Sequence, residues 1–188
     1  MRDRILEAAA ALFVEQGVGA SMAQIAARAG VAAGSLYNHF ESKNVLIRAV
    51  YLDLAEATND WVAASDSPEA TDLERLSRYI ESYIEFTWSN PDRAILFEYF
   101  SSAPLISPEE MVATFRKSAD FIAALLTSLQ ESGHAAPGDV MNMGGFIGGA
   151  IRNTLKWRRA TGQPLSEADR AQIMDMCFRA VGAPARAG

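Results

Sequence analysis

Ser21–Lys43, SMAQIAARAGVAAGSLYNHFESK, is the stretch whose reading decides the fold. It has the punctuation of two short helices joined by a turn. Ser21 and Gln24 form a capping box, the hydroxyl accepting from a first-turn amide while the Gln24 side chain reaches back to Ser21. The helix MAQIAARA then ends at Gly30, and a second one, roughly Ala32–His39, follows a tight turn. Small residues Ala26, Ala27 and Ala29 permit a close helix crossing. Val31 and Leu36 turn inward to meet Ile25 and Phe13, which leaves Ser35, Tyr37, Asn38 and His39 outward or at the helix edge.

Working outward, Ile5, Leu6, Ala9, Leu12 and Phe13 form the apolar stripe of a preceding helix, which Gly17 is expected to stop from the left-handed position. Three helices with a glycine turn between the last two are the ingredients of a helix-turn-helix. The residue types suit DNA. Gly34 lets the helix backbone approach a duplex, and Ser35 can donate or accept at a base edge or phosphate. Tyr37 and His39 can hydrogen-bond phosphate oxygens, and Lys43 stands at the amide-rich start of the next helix. Ser21 and Gln24 sit at another such start, although capping is the first role of Gln24. Each has a plainer alternative: Tyr37 packing under the next helix, His39 capping its own, Lys43 simply solvated.

Over residues 4–50 these features resemble the DNA-binding domain of the tetracycline-repressor (TetR) family of bacterial regulators. The shared elements are Ile5-Leu6, Ala9, Leu12-Phe13, Gly17, Ile25-Ala26, Ala29-Gly30-Val31, Gly34-Ser35-Leu36-Tyr37, His39-Phe40 and Ser42-Lys43. The resemblance implies an all-α protein: a helix-turn-helix domain at 1–46, then a helical effector-binding and dimerisation domain at 47–188. One departure matters. The family commonly has Ser or Thr, then Lys or Arg, before the glycine, where this chain has Ala32-Ala33. The Ala33 methyl can lie against a thymine methyl but cannot neutralise a phosphate.

Charge distribution agrees with a DNA-binding head on an acidic body. The chain has 17 Lys+Arg against 23 Asp+Glu, a net charge of −6. Residues 1–50 hold Arg2, Arg4, Arg28, Lys43 and Arg48 against Asp3, Glu7, Glu15 and Glu41, so all the excess acid lies beyond them. The single cysteine, Cys177, excludes an intramolecular disulfide and a cysteine-based zinc framework, and fits a reducing cytoplasm. No apolar run approaches the ~20 residues of a membrane span, and the N-terminus lacks a signal-peptide pattern. No membrane partner is expected. The tail GAPARAG reads as frayed.

Beyond the head the periodicity is helical throughout, giving nine helices in all. Ser42 caps a long helix through KNVLIRAVYLDLAEATNDWVAA. Ser67-Pro68, Asn90-Pro91 and Ser107-Pro108 each pair a capping residue with proline at the first helical position, with Glu110 completing a box on Ser107. The stretch SGHAAPGD separates two more helices, and a last one spans about Ser166–Val181.

Aromatic and large apolar residues recur at helical spacing: Trp61; Tyr79, Tyr83 and Phe86; Phe97 and Phe100; Met111 and Phe115; Phe146. They are candidates either for a cavity holding a small, apolar or aromatic effector or for ordinary core. The eighth helix carries Gly144, Gly145, Gly148 and Gly149. Since a helical glycine costs ~1 kcal/mol against alanine, close approach of another helix or room beside a ligand must account for them. With Ile173, Met176, Cys177 and Ala180 on the ninth helix, they could form a four-helix homodimer interface, as the family does. The run Lys156-Trp157-Arg158-Arg159 suits a helix C-terminus and acidic partners.

Cys177, His39 and His134 form no nucleophile–base or metal pattern, so neither an enzyme nor a cofactor is expected. These readings give a regulator that binds a palindromic operator as a homodimer and is released by a ligand. Two alternatives stay open: the same fold without an effector, or a helical dimer acting through protein contacts alone.

Overall fold

The computed structural model describes residues 1–102 and 106–184. Among the described residues there are nine α-helices: α1 Arg2–Gln16, α2 Met22–Ala29, α3 Ala33–His39, α4 Lys43–Ser65, α5 Asp72–Ser89, α6 Pro91–Ser102, α7 Pro108–Glu131, α8 Val140–Ala160 and α9 Glu167–Ala180, with one 3₁₀ turn at Gly17–Gly19. The described residues contain no strand.

Helix starts follow local chemistry. Ser21 Oγ accepts from the Gln24 amide at 3.2 Å, and Gln24 Oε1 accepts from the Ser21 amide at 2.7 Å, completing the expected box. Gly30 closes α2 in the left-handed conformation at φ 64°, ψ 39°. Ser42 Oγ accepts from the Val45 amide at the start of α4, and Asp139 and Ser166 cap α8 and α9.

Four local expectations need correction. Gly17 has φ 68° but ψ −174°, so it ends α1 with an extended ψ rather than in the left-handed helical well. The helix expected from Ser67-Pro68 begins later: Thr71 and Glu74 form a full capping box there, and Ser67 instead closes a turn to Ala70. Ser107 does cap α7 through the Glu110 amide, but the Glu110 carboxylate leaves the box for Arg48, 2.6 Å away. The tail is packed at its beginning. Gly182 turns at φ 69°, the Ala183 amide donates to the Phe178 carbonyl, and Val181 and Ala183 are buried. Residues 185–188 of the expected frayed tail lie outside the described residues.

The chain divides into two compact units. The first comprises Met1–Ala57 and Pro91–Thr114, and so takes in α1 to α3, most of α4, all of α6 and the start of α7. Its core includes Ile5, Ala9 and Phe13 of α1, Ile25 and Ala26 of α2, Leu36, Phe40, and Leu46, Val50 and Tyr51 of α4, all buried. Phe100 of α6 meets Tyr51 edge-on at 5.7 Å. The Val18 amide donates to the Tyr99 hydroxyl at 3.3 Å, tying α6 to the turn after α1. Ala26 and Ala29 supply the close crossing, whereas Ala27 is exposed and takes no part in it.

The second unit comprises Thr58–Asn90 and the chain from Phe115 onward. Its core draws on Leu76, Ile80 and Ile84 of α5, Leu125, Leu126 and Leu129 of α7, Ile147, Ile151 and Leu155 of α8, and Ile173, Met174 and Phe178 of α9.

Candidate nucleic-acid interface

In the first unit, the inward face of α2–α3 is anchored by Ile25, Ala29 and Leu36. The same rotation turns the polar residues out. Tyr37 is 52 % exposed despite its size. Ser21, Gln24, Ala33, Gly34, Asn38 and His39 are exposed, and Ser35 and Lys43 are half-buried. Val31 is half-buried too, a weaker core residue than Leu36. An exposed tyrosine beside an amide, an imidazole and an unpaired lysine is a surface equipped for phosphate and base-edge contacts. At the first turn of α3, Ala32, Ala33 and Gly34 present backbone and methyl groups only.

The head's cations divide into two groups. Arg28 Nη1 lies 2.7 Å from Glu15 Oε2, and Arg48 Nε 2.6 Å from Glu110 Oε1. The hydrogen bond from Arg28 holds the Glu15 carboxyl below its ordinary range. Arg2, Arg4 and Lys43 make no ion pair among the described residues. Arg2, absent from the sequence-derived site, lies with its guanidinium carbon 5.6 Å from the centroid of the Phe40 ring.

The aromatic candidates of the body do not share one place. Trp61 stacks on Phe86 with centroids 5.2 Å apart, and lies 5.2 Å from Tyr83 and 5.9 Å from Tyr79. Phe121, missed in the sequence, joins them 6.0 Å from Tyr79. Arg152 Nη1 donates to the Tyr83 hydroxyl at 2.5 Å, giving the cluster a cationic edge. Burial pushes the Tyr79 phenol upward, and the neighbouring Tyr83 adds to that. Phe97, Phe100 and Met111 belong to the first unit, and Phe115 to the second. Phe100 is buried core. Phe146 points out of α8, 60 % exposed, and is no part of the aromatic cluster.

The four glycines of α8 split into two pairs. A Cβ on Gly144 would meet Ile122 at 3.2 Å, and one on Gly148 would meet Arg152 Nη1 at 3.0 Å and the Tyr83 ring at 3.2 Å. These two serve packing inside the protomer, which corrects their assignment to an intermolecular face. Gly145 and Gly149 would meet nothing within 4 Å. On that outer side Phe146, Ala150, Thr154, Ile173, Met176, Cys177, Arg179 and Ala180 line a groove of about 340 Å³. Met176 is 59 % exposed at its rim, while Ile173 and Cys177 form its buried floor. Burial pushes the Cys177 thiol up to about 11, so it stays protonated at neutral pH.

The basic run at the end of α8 is structural. Arg158 Nη2 pairs with Asp169 Oδ1 at 2.6 Å, and Arg159 donates to the carbonyls of Thr87 and Trp88 while covering the Trp88 ring. Among the described residues no group of three or more His, Cys, Asp and Glu side chains could hold a metal ion, and no helix is long and apolar enough to cross a membrane.

Residues 5–50, the span of this exposed surface and its supporting core, match the profile of bacterial regulatory proteins of the tetR family. A solved tetR-family transcription regulator from Shewanella sp. PV-4 superposes with a TM-score of 0.78 at 27 % identity, covering 95 % of this chain and 96 % of that one. The helix-turn-helix head is similar to the tetR-family domain over residues 5–50. Among curated relatives, the HTH-type transcriptional repressor KstR2 of Mycolicibacterium smegmatis is 39 % identical over 62 residues, 32 % of this chain and 28 % of KstR2. The chain spans less than half the length of the curated relatives it matches. The fold is also that of AibR, solved with isovaleryl coenzyme A and operator DNA, at a TM-score of 0.77, 22 % identity, and coverage of 97 % and 98 %.

Proposed function

We propose that the protein is a ligand-responsive transcriptional regulator, a repressor that binds a palindromic operator as a homodimer in the cytoplasm. The observation that carries this reading is the exposed α2–α3 face, where Tyr37, Asn38 and His39 point outward from a helix anchored by Leu36. Laid in a major groove, α3 sets Ser35 and the Ala33–Gly34 backbone against base edges, while Tyr37, His39, Lys43, Ser21 and Gln24 hold phosphates.

The outer face of α8 and α9 supports a dimer. Gly145 and Gly149 leave backbone accessible between Phe146, Met176 and Trp157, each about 60 % exposed. An isologous interface needs a self-complementary apolar patch of this kind. Ile173, Cys177 and Ala180 would complete it. The two heads then meet half-sites about 34–36 Å apart, or a multiple of that spacing.

The effector reading rests on Trp61, Tyr79, Tyr83 and Phe86, which fit an apolar or aromatic molecule, with AibR as a fold neighbour that holds one ligand and an operator together. To release DNA decisively, an effector must favour one state by about 5.5 kcal/mol. Helix α4 contributes residues to both units and is the element to carry that difference. A second reading is favoured by the rings' mutual stacking: they fill the space themselves, and the regulator has no effector.

Selection of duplexes from a random pool by the purified protein, followed by titration, tests the DNA reading. A palindromic consensus is expected, with Tyr37→Ala and Lys43→Ala weakening all duplexes and Ser35→Ala weakening the selected one most. Unchanged affinity in all three variants at fixed salt sinks the assigned surface. Thermal shift with a panel of hydrophobic acids and aromatics separates the two effector readings.

A further inference from the structure

We infer that Arg2 is a phosphate-binding residue of the DNA-reading head, held ready by its stack on Phe40, so that the head grips the backbone from the α3–α4 corner rather than from the first turn of α3. The inference rests on the DNA-binding reading above and assigns a contact outside the sequence-derived site.

Charge is scarce here, so its placement decides how the duplex can be held. Of the five cations in residues 1–50, Arg28 and Arg48 are engaged by Glu15 and Glu110. The first turn of α3 offers Ala32, Ala33 and Gly34, which carry none. Arg2, Arg4 and Lys43 remain without an acid among the described residues, and Asp3 and Glu41, the acids nearest them in sequence, make no ion pair with Arg2.

Of these three, only Arg2 lies over an aromatic ring among the described residues. Its guanidinium lies over the Phe40 ring at 5.6 Å, and Phe40 is 2 % exposed and set in the core of the head. Phe40 is also the residue that closes α3. Its ring lies 6.4 Å from that of the exposed His39, and Ser42 and Lys43 follow at once. The fold therefore sets a guanidinium over the residue that ends the recognition helix, with the His39 imidazole beside it and Lys43 three residues further along the chain.

Arginine suits this place for two reasons. A planar guanidinium can stack on an aromatic ring and still direct its edge N–H groups at phosphate oxygens. Ordering a long side chain on a rigid ring before binding also lowers the entropy lost when phosphate arrives. Lysine would keep the charge but lose most of the stack.

The test is titration of a fluorescent duplex selected by the protein itself, and of a scrambled one, across a range of salt. Arg2→Ala should lower affinity for both duplexes by a similar factor, about three- to tenfold, and reduce the salt slope by about 0.9, the value for one released phosphate contact. Arg2→Lys should keep most of the slope and lose part of the affinity. Arg28→Ala removes a charge already engaged by Glu15 and should move the slope less. The inference is overturned if Arg2→Ala keeps the full slope, or if Arg28→Ala moves it equally, because net charge alone would then explain the effect. A wild-type protein that selects no duplex overturns the function reading itself. Since Arg2 is exposed, each variant is expected to fold, which circular dichroism checks.

Discussion

Nothing inside the chain requires a glycine at position 34. Its φ is not positive, and a Cβ there would meet nothing within 4 Å. Inside α3 it forgoes about 1 kcal/mol of helix propensity. An outside body approaching the backbone is the remaining physical reason. Gly34→Ala should therefore raise unfolding stability by about 0.5–1 kcal/mol while weakening operator binding by about 1–3 kcal/mol through overpacking at the groove. Thermal unfolding and DNA titration of one preparation give both numbers; a more stable variant with undiminished affinity would rule out close approach at this residue. Single residues were legible in the sequence where their chemistry is local. The Ser21–Gln24 box and the outward turn of Tyr37 follow from spacing alone. Arg2 was not legible, because its aromatic partner lies at the far end of the head's sequence and only the folded α1 brings the two together.

At the scale of the element, α8 shows what spacing cannot resolve. Four glycines in six positions announce close approaches, but which pair faces inward depends on the helix's rotation against α5 and α7. Gly148→Ala would push a methyl to 3.2 Å from the Tyr83 ring and 3.0 Å from Arg152 Nη1. It should destabilise the protein by about 1–3 kcal/mol, offset in part by helix propensity. Gly149→Ala meets nothing in the protomer and should stabilise the monomer by up to about 1 kcal/mol while loosening the proposed dimer. Chemical denaturation with sedimentation on both variants checks the contrast, and equal effects would contradict the inward–outward split. Helix α5 gives a second case. Its start was misplaced at Ser67-Pro68 because the Thr71 box competes with it, and the Asp66 carboxylate is taken by Arg75 through bonds of 2.8 and 3.2 Å. Those bonds hold the Asp66 carboxyl below its ordinary range. Its contribution to stability is thus full above the unfolded carboxyl pKa near 4 and is lost as pH falls through the lower, folded value. Asp66→Asn should cost about 1 kcal/mol at neutral pH, and the difference from wild type should vanish in strong acid. A difference that persists there would assign the loss to packing instead.

At the scale of the molecule, the all-helical fold and the position of the helix-turn-helix were readable, since both come from local periodicity and punctuation. The grouping of α6 with the head was not. It depends on tertiary pairs such as Tyr99 with Val18 and Phe100 with Tyr51, which no spacing rule reports. The same holds for Phe146, whose helical spacing suited a cavity but whose rotation sets it on the outer face of α8. That face carries the whole-molecule prediction. Phe146→Glu with Met176→Glu places two charges where the protomer already tolerates exposure, so each chain should keep its fold and melting behaviour. In a dimer the same carboxylates would oppose one another across a two-fold axis in a desolvated patch, which costs several kcal/mol. The double variant should sediment as a monomer. Its affinity for a full palindrome should then fall by about a hundredfold or more, because the second half-site no longer binds at the high effective concentration a dimer provides. Affinity for an isolated half-site should be unchanged, since the α2–α3 surface is untouched. A variant that remains dimeric would place the interface elsewhere, and a monomer with full palindrome affinity would show that one head suffices.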